Sequence, residues 1–418
     1  MHRPSRRLLA AALAAALSAP LPAYAQEPLT LDEALRLSLE RQPALEAYAR
    51  TARAFEEAAV AARQLPDPRL MAGVQNLPVT GPDAFSPSAD FMTMRFIGIG
   101  REQVRSARRE AEAARLRAEG AVSTAEQQLL ARQIQREVML AWIRILEARQ
   151  AIELLDELVV KLEARLRTAE AGIPTGRATA ADAIAIRAEI ASARAEAAQR
   201  RGEEQEGRAA LGRWLGDAGS RPVSGPLPIC RPLADADALP LLGRHPQLDA
   251  ARSRTFVAER ATDAARAARL PNWGWSLMYG NRGGGRSDML SLQLSVDLPL
   301  NRGRLQDRRI AEASELAAAA RDRVEDMRRQ LVFEYDRALA QWRAAEARYM
   351  TTGGETLPAL LGAERALEAR LAGGAGNLQD IQVASERTTR AALDLVGQRA
   401  ALARASADLL YLQGECPE

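Results

Sequence analysis

The longest uninterrupted pattern in the chain is a run of apolar residues that recur at alternating steps of four and three positions. It lies in a stretch that contains no proline between Arg101 and Pro174. This heptad spacing predicts a helix that packs along its length against another helix. At a rise of about 1.5 Å per residue the helix is roughly 100 Å long, which is more than a compact domain needs. The apolar positions are Ile134, Val138, Ala141, Ile145, Ala148, Ile152, Leu155, Val159, Leu162, Leu166 and Ala169.

A second pattern is the strict alternation of apolar and polar residues from Met289 to Leu298, which predicts a β-strand. We predict three further strands from Arg69 to Asn76, from Phe91 to Ile99 and from Trp273 to Tyr279. The alternation fits a sheet with one face on a protein core, and it also fits a sheet whose apolar face meets lipid. The lipid alternative is favoured, because the helices offer no other partner layer and aromatic residues stand at strand ends, as in a membrane girdle.

The alternation assigns side chains to two faces. Four strands cannot close a barrel alone, so we expect several copies of the chain to share one. On this hypothesis the lipid-facing and girdle residues are Trp273, Trp275, Tyr279, Leu292, Leu294 and Val296. The residues predicted to face the lumen are Arg95, Gln293, Ser295 and Asp297.

The chain is internally duplicated. The segment from Arg41 to Ala47 recurs from Arg244 to Ala250, and each copy continues through an alanine-rich helix, two strand candidates and a long helix. The second long helix begins near Leu305, and Gly353, Gly354 and Pro358 should bend or loosen it. We predict a first repeat over residues 26–216, a proline-rich linker over 217–239, a second repeat over 240–414 and a tail over 415–418. The predicted fold class is mainly α with a small β part.

The first 25 residues predict a secretory signal peptide. Arginines at positions 3, 6 and 7 precede an apolar core from Leu8 to Leu17 and a small-residue cleavage site, Ala23-Tyr24-Ala25. The whole chain has 57 basic and 54 acidic side chains. Removal of the three arginines balances the charges, so no nucleic-acid partner is predicted. The apolar core is too short to span a bilayer as a helix.

Candidate chemistry is sparse. After cleavage His245 is the only histidine, which excludes most imidazole-based catalytic dyads and His/Cys metal clusters. We therefore predict no enzyme, no catalytic residue, no cofactor and no metal site. Methionines in the strand segments are interpreted as flexible filler, with Met92 and Met94 on the apolar face beside Phe96, and thioether binding of Cu(I) is the minor alternative.

The duplicated plan of two strands, long helix, turn and returning helix resembles the TolC family of outer-membrane efflux channels over nearly the whole mature chain. Three segments carry the resemblance: Leu29 to Leu35, Gln42 to Leu45 with its copy His245 to Leu248, and Leu357 to Ala359. Pro66-Asp67-Pro68, Gln75-Asn76-Leu77-Pro78 and Asp90 to Met94 look like the heavy-metal branch, the outer-membrane components of cobalt-zinc-cadmium and copper efflux systems.

The resemblance implies a homotrimer in the outer membrane of a Gram-negative bacterium that extends into the periplasm. Each subunit would give four strands to a 12-stranded barrel and its helices to a tunnel. The implied partners are outer-membrane lipid, a periplasmic adaptor of the membrane fusion class and an inner-membrane RND pump. The implied function is a passive exit duct for heavy-metal cations. The alternatives are a multidrug efflux or type I secretion channel and, in another class, a soluble periplasmic coiled-coil adaptor, against which the strands argue.

The turns that end the long helices are the expected site of adaptor docking and of the periplasmic gate, because helices of that length end deep in the periplasm. The chain departs from the family here, since relatives usually carry an aromatic residue a few positions before each turn glycine and the corresponding stretches of this chain, Arg167 to Gly172 and Arg370 to Gly373, have none. It also has Gln26 where some relatives have a lipidated cysteine, so no lipid anchor is expected. A Cys230–Cys416 disulfide is expected, with two free thiols as the alternative. The turn residues are Gly172, Pro174 and Gly176 in the first half and Gly373, Gly374, Gly376 and Asn377 in the second.

Overall fold

A computed structural model describes residues 27–40, 42–176, 178–233 and 235–414. The predicted signal peptide and Cys416 lie outside the described residues. Most of the described chain is helical, with a small antiparallel sheet, so the predicted fold class is confirmed.

The elements follow the duplicated plan. The first half contains helices α1 (Leu31–Leu39) and α2 (Pro43–Ala62), strands β1 (Arg69–Gln75) and β2 (Met94–Gln103), and helices α3 (Ser106–Gly172) and α4 (Ala180–Leu215). The second half contains helices α5 (Asp235–Leu242) and α6 (Pro246–Ala267), strands β3 (Trp273–Asn281) and β4 (Met289–Val296), and helices α7 (Gln306–Thr351), α8 (Leu357–Ala372) and α9 (Leu378–Gln413).

Helix α5 was not predicted, because its residues were assigned to the proline-rich linker. It contains Pro240 in its interior, and proline usually ends a helix. Helix α5 precedes α6 just as α1 precedes α2, so the duplication itself was a signal for it. The linker that lacks regular structure is correspondingly shorter than predicted.

The four strands form one antiparallel sheet in the order β1-β2-β3-β4. Strand β2 pairs with β3 from the other half of the chain, for example Ile99 with Leu277. The loops between paired strands of the same half leave the sheet at one end, here called the hairpin end. The helices connect at the opposite end, here called the helix end.

Contacts divide the chain into two compact units. The first comprises the described residues up to Ser38 together with residues 138–227, and the second comprises residues 39–137 and 228–414. All four strands belong to the second unit. This division differs from that of the two predicted repeats, whose boundaries stay predictions.

The core of the first unit is the heptad face of α3. Its apolar positions from Val138 to Ala169 are buried or half-buried, so the predicted seam is confirmed there. Helix α4 packs on it through Ile186 and Ile190. Gly207 permits close approach, because a Cβ at this position would lie 2.7 Å from Cγ1 of Ile145. The pair therefore forms an antiparallel helical hairpin with a thin, alanine-rich interior.

The second unit has a core built from α7 and α9, which also contacts α5. Trp342, Leu331 and Tyr335 are its large buried residues on α7, and Leu402 and Leu409 face them from α9. The predicted loosening after α7 takes the form of a π-helical segment, Thr352–Thr356, which contains Gly353 and Gly354. The helical path therefore continues into α8 through this wider turn.

None of the helices in the described ranges is both long enough and apolar enough to cross a membrane.

Candidate functional site

The sheet has two chemically different faces. The register aligns Leu294 with Trp275, Leu292 with Leu277, and Leu290 with Tyr279. These six residues occupy one face, and the leucines of β4 are 67–71% exposed. No helix of the described chain packs over this face, so the sheet presents an apolar surface with no protein partner.

Gln293, Ser295 and Asp297 lie together on the opposite side of β4. Gln293 pairs with Ser276, Ser295 pairs with Gly274, and the Asp297 N–H donates to the Asn272 carbonyl over 3.1 Å. Together with Arg69 and Glu102 they line a concavity with a volume of about 430 Å³. Three of the four predicted lumen residues therefore share one polar concavity.

Arg95 does not lie with them, and its predicted placement is wrong. The pairing of Ile97 with Tyr279 and of Ile99 with Leu277 puts Arg95 on the apolar face, because side chains alternate along β2. Arg95 stands at the hairpin end, where its guanidinium donates to the Asn281 side-chain oxygen over 3.1 Å. The cause of the error is that β2 carries apolar residues on both faces, so its alternation gave no clear assignment.

The methionine prediction is also corrected. Strand β2 begins at Met94, so Phe91 and Met92 precede it. Met94 and Phe96 lie on the face of Gln293 and Ser295, opposite the leucines. A Cβ added at Gly73 would contact the Phe96 ring, and a Cβ added at Gly280 would contact the Met94 side chain. Phe96 and Met94 fill space that glycines leave on the concave side.

The predicted girdle residues occupy the two ends of the apolar face. Trp273 and Trp275 lie toward the helix end, and Trp275 pairs with Arg101 of β2. Tyr279 lies toward the hairpin end, where its hydroxyl donates to the Asp288 carboxylate. The Asn281 amide donates to the other oxygen of Asp288 over 2.8 Å. Both ends thus carry residues that combine an apolar body with a polar group, as lipid–water boundaries require.

The first turn is a single turn of 3₁₀-helix. Gly172 ends α3, Pro174 lies inside the turn, and Gly176 closes it with φ of 68°. Thr179 then begins α4 with a capping box, since its hydroxyl accepts from the Asp182 N–H and the Asp182 carboxylate accepts from the Thr179 N–H. That backbone hydrogen bond lowers the pKa of Asp182. The reversal is therefore fixed by local backbone geometry.

The second turn uses different residues for the same reversal. Gly374 has φ of 78°, and the Asn377 side chain caps α9 by accepting from the Gln379 N–H over 3.0 Å. Gly376 is crowded, because a Cβ there would lie 2.6 Å from the Leu371 nitrogen. Gly373 retains a negative φ at the end of α8.

Exposed apolar side chains accompany both turns and were not among the predicted residues. Ile173 and Ile184 lie at the first turn, and Leu371 and Val383 lie at the second. Ile184 stands between the buried residues Ala183 and Ile186, off the packed face of α4. The apolar side chain of Ile184, at a position off the packed face, was the feature of the sequence that could have indicated an exposed apolar patch at this turn.

The linker near Cys230 is tied to the end of α9. The Ser406 hydroxyl bonds the Cys230 carbonyl at 3.2 Å, and the Leu233 N–H donates to the Gln413 side chain over 3.1 Å. Cys230 is buried and disulfide-bonded. Because Cys416 lies outside the described residues, the pairing of the two stays a prediction, and the short distance from Leu233 to Gln413 supports it.

His245 has a structural role. Its Nδ1 accepts from the Gln247 N–H and caps α6, and its Nε2 lies 3.2 Å from the Tyr411 carbonyl. Burial lowers the pKa of His245 below its usual value of 6.5, so the ring is neutral at pH 7. A neutral ring with both nitrogens engaged in this way anchors α6 to α9.

Comparison with solved structures shows which fold this is. The chain matches the outer membrane protein VceC of Vibrio cholerae with a TM-score of 0.73 at 18% identity, over 92% of this chain and 96% of that one. It matches CusC, whose structures concern transmembrane channel formation, with a TM-score of 0.76 at 17% identity, over 92% of this chain and 91% of that one. It also matches the open state of the MtrE outer membrane channel of Neisseria gonorrhoeae, with a TM-score of 0.73 at 18% identity, over 92% of this chain and 88% of that one.

No protein-family model matches the chain, and no curated protein matches it in sequence. At these low identities the structural likeness shows the fold. The predicted TolC-like fold is therefore confirmed.

Proposed function

We propose that the chain belongs to the TolC family and forms the outer-membrane exit duct of a tripartite efflux system. The observation that carries this proposal is the sheet with an exposed apolar face, a polar concave face and two open edges. An apolar surface of this kind on a soluble protein would promote aggregation, whereas lipid covers it without cost.

The open edges support assembly with further copies of the chain. Strands β1 and β4 border the sheet, and neither contains a proline that would protect it. Pairing of β4 with β1 of a neighbouring copy satisfies both edges. Three copies give a barrel of 12 strands, wide enough to leave a water-filled lumen lined by the face of Gln293 and Ser295.

The helices provide the periplasmic part of the duct in this proposal. Helix α3 has 67 residues and is about 100 Å long. Each of the two turns, with its own exposed apolar residues, is proposed to meet the adaptor and the pump. Heavy-metal cations are the proposed cargo, on the resemblance of Pro66-Asp67-Pro68 and its neighbouring segments to that branch.

Fractionation and unheated gel electrophoresis test the duct. We expect a trimer in the outer-membrane fraction that dissociates into monomers on heating. Deletion of the gene should lower resistance to zinc, cobalt, cadmium or copper salts and leave drug resistance unchanged. A soluble periplasmic species contradicts the duct, and sensitivity to drugs alone contradicts only the metal cargo.

Thiol labelling tests which face of β4 meets water. Cysteines introduced as Gln293→Cys and Ser295→Cys should react with water-soluble maleimides in intact outer membranes, since both side chains line the polar concavity. Leu292→Cys and Leu294→Cys, one position away on the same strand, should not react because lipid covers them. The protein with only its native cysteines sets the background, and the reverse pattern of labelling would contradict the assignment of the two faces.

A further inference from the structure

Eight arginines cluster where the strands give way to the long helices. They are here called the arginine belt. One group runs from the last residues of β2 into the start of α3, and the other runs from the loop after β4 into the start of α7, so the belt occurs in both halves of the chain. Its members are Arg101, Arg105, Arg108 and Arg109 in the first group and Arg302, Arg304, Arg308 and Arg309 in the second.

Four of these arginines, Arg108, Arg109, Arg308 and Arg309, lie in the first turn of a helix and oppose its electrostatics. The N-terminus of a helix carries partial positive charge, so arginines in the first turn are unfavourable there. Helix α3 has no acidic residue in its first turn but has Arg108 and Arg109. In α7 the only first-turn acid, Asp307, pairs with Arg269 over 3.2 Å. Helix stability therefore does not explain the belt.

Ion pairing does not explain it either. Within the described ranges, no member of the belt has a carboxylate oxygen within the 4.0 Å of an ion pair. Apart from Asp307, which pairs with Arg269 outside the belt, the first ion pairs along these helices lie farther from the sheet. There Arg115 meets Glu112 over 2.7 Å and Arg321 meets Glu259 over 2.6 Å. The belt is a local excess of positive charge.

Some members are held in place by backbone carbonyls. The Nε of Arg101 donates to the Pro66 carbonyl over 2.9 Å, and the Nε of Arg105 donates to the Pro271 carbonyl over 2.8 Å. These bonds leave the terminal amino groups of both guanidiniums without a protein partner in the part of the chain that the structure describes. Such groups can bind a phosphate through two parallel hydrogen bonds.

The belt lies beside the helix end of the apolar face. Arg101 is the pairing partner of Trp275, and the segment around Arg302 and Arg304 is flanked by exposed leucines. Leu298 is 71% exposed and Leu300 is 86% exposed. Apolar side chains next to unpaired arginines match the boundary between acyl chains and charged headgroups.

We propose that the arginine belt binds the phosphates of anionic glycerophospholipids in the membrane leaflet that faces the periplasm. This rests on the proposed insertion of the sheet into the outer membrane. Exposed leucine beside arginine selects a lipid over a free anion, because the acyl chains cover the leucines while the headgroup meets the guanidiniums. The belt then fixes the depth at which the duct sits in the bilayer.

Native mass spectrometry of the purified full-chain protein, in mixed micelles with phosphatidylglycerol and phosphatidylcholine, tests this. We expect retained phosphatidylglycerol to exceed phosphatidylcholine. The variant carrying Arg108→Gln, Arg302→Gln, Arg304→Gln and Arg308→Gln should bind phosphatidylglycerol about tenfold or more weakly. These four side chains make no hydrogen bond or ion pair within the described structure, and only Arg108 acts electrostatically on a carboxylate, that of Glu112, so the substitutions remove no direct contact that holds the fold. A control with Arg323→Gln, Arg343→Gln, Arg365→Gln and Arg387→Gln makes the same charge change on exposed helical positions and should bind as the unmodified protein does.

Three results would overturn the inference. These are equal binding of the two lipids, unchanged phosphatidylglycerol binding in the belt variant, and displacement of phosphatidylglycerol by millimolar inorganic phosphate, which would indicate a site for a free anion. Unheated gels of the same samples separate this question from the proposed function. A trimer in the outer membrane with no lipid preference contradicts the belt alone, whereas a soluble species contradicts the duct.

Discussion

Gly176→Trp is expected to abolish efflux while trimers remain in the outer membrane. Gly176 closes the first turn with φ of 68°, and no atom lies within 4 Å of the position a Cβ would occupy. The indole therefore projects away from the protein, onto the surface proposed to meet the adaptor. The strain of a side chain at positive φ is about 1–2 kcal/mol and is confined to the turn. Resistance of cells that carry the variant should fall to that of a deletion strain, with trimer amounts measured on unheated gels.

Gly176→Asn is the matched control. Asparagine tolerates the left-handed conformation and adds little bulk, so resistance should persist. Gly376 is a poorer position for this experiment, because any side chain there collides with the backbone of Leu371. Full resistance with tryptophan at position 176, or loss of the trimer itself, would show that this turn is not the docking surface.

Trp342→Ala is expected to cause the largest loss of stability, about 3–5 kcal/mol. The indole is 6% exposed in the core between α7 and α9, and its N–H donates to the Ser406 hydroxyl over 3.1 Å. That hydroxyl also contacts the Cys230 carbonyl, so the substitution opens a cavity and removes a partner from the group that holds the linker. The temperature at which trimers dissociate on gels, and the helical circular dichroism signal on heating, report the loss.

Trp342→Phe separates packing from hydrogen bonding. Phenylalanine fills most of the space of the indole but lacks its N–H donor, so the loss of stability should be smaller, about 1–2 kcal/mol. Equal melting of the alanine variant and the unmodified protein would mean that this cluster does not limit stability.

Patterns with one dominant period were predicted well from the sequence. The heptad positions of α3 are buried or half-buried from Val138 to Ala169, and β4 alternates without exception, so both elements were found close to their observed bounds. Strand β2 was less well predicted. Phe96 occupies one face while Ile97 and Ile99 occupy the other, and only pairing with β3, contributed by the second half of the chain, decides which face meets Tyr279.

The surfaces proposed for docking and lipid binding were only partly predictable. The turn glycines stood out because glycine permits positive φ, but Gly374 and Gly376 have different constraints that depend on three-dimensional neighbours. The arginine belt is visible in the sequence only as charge. Its significance depends on the lack of nearby carboxylates and on its position beside Trp275, which the structure supplies.

The pairing of β2 with β3 constrains the order in which the protein folds. Arg95 and Asn281 are neighbours in the sheet but stand 186 positions apart in the chain. Closing a loop of that length is slow, whereas helical hairpins form from local contacts. The β1–β2 pair alone is too small to be stable in water. The complete apolar surface therefore forms only when the second half of the chain is available to pair, so the first half alone cannot display the full apolar sheet.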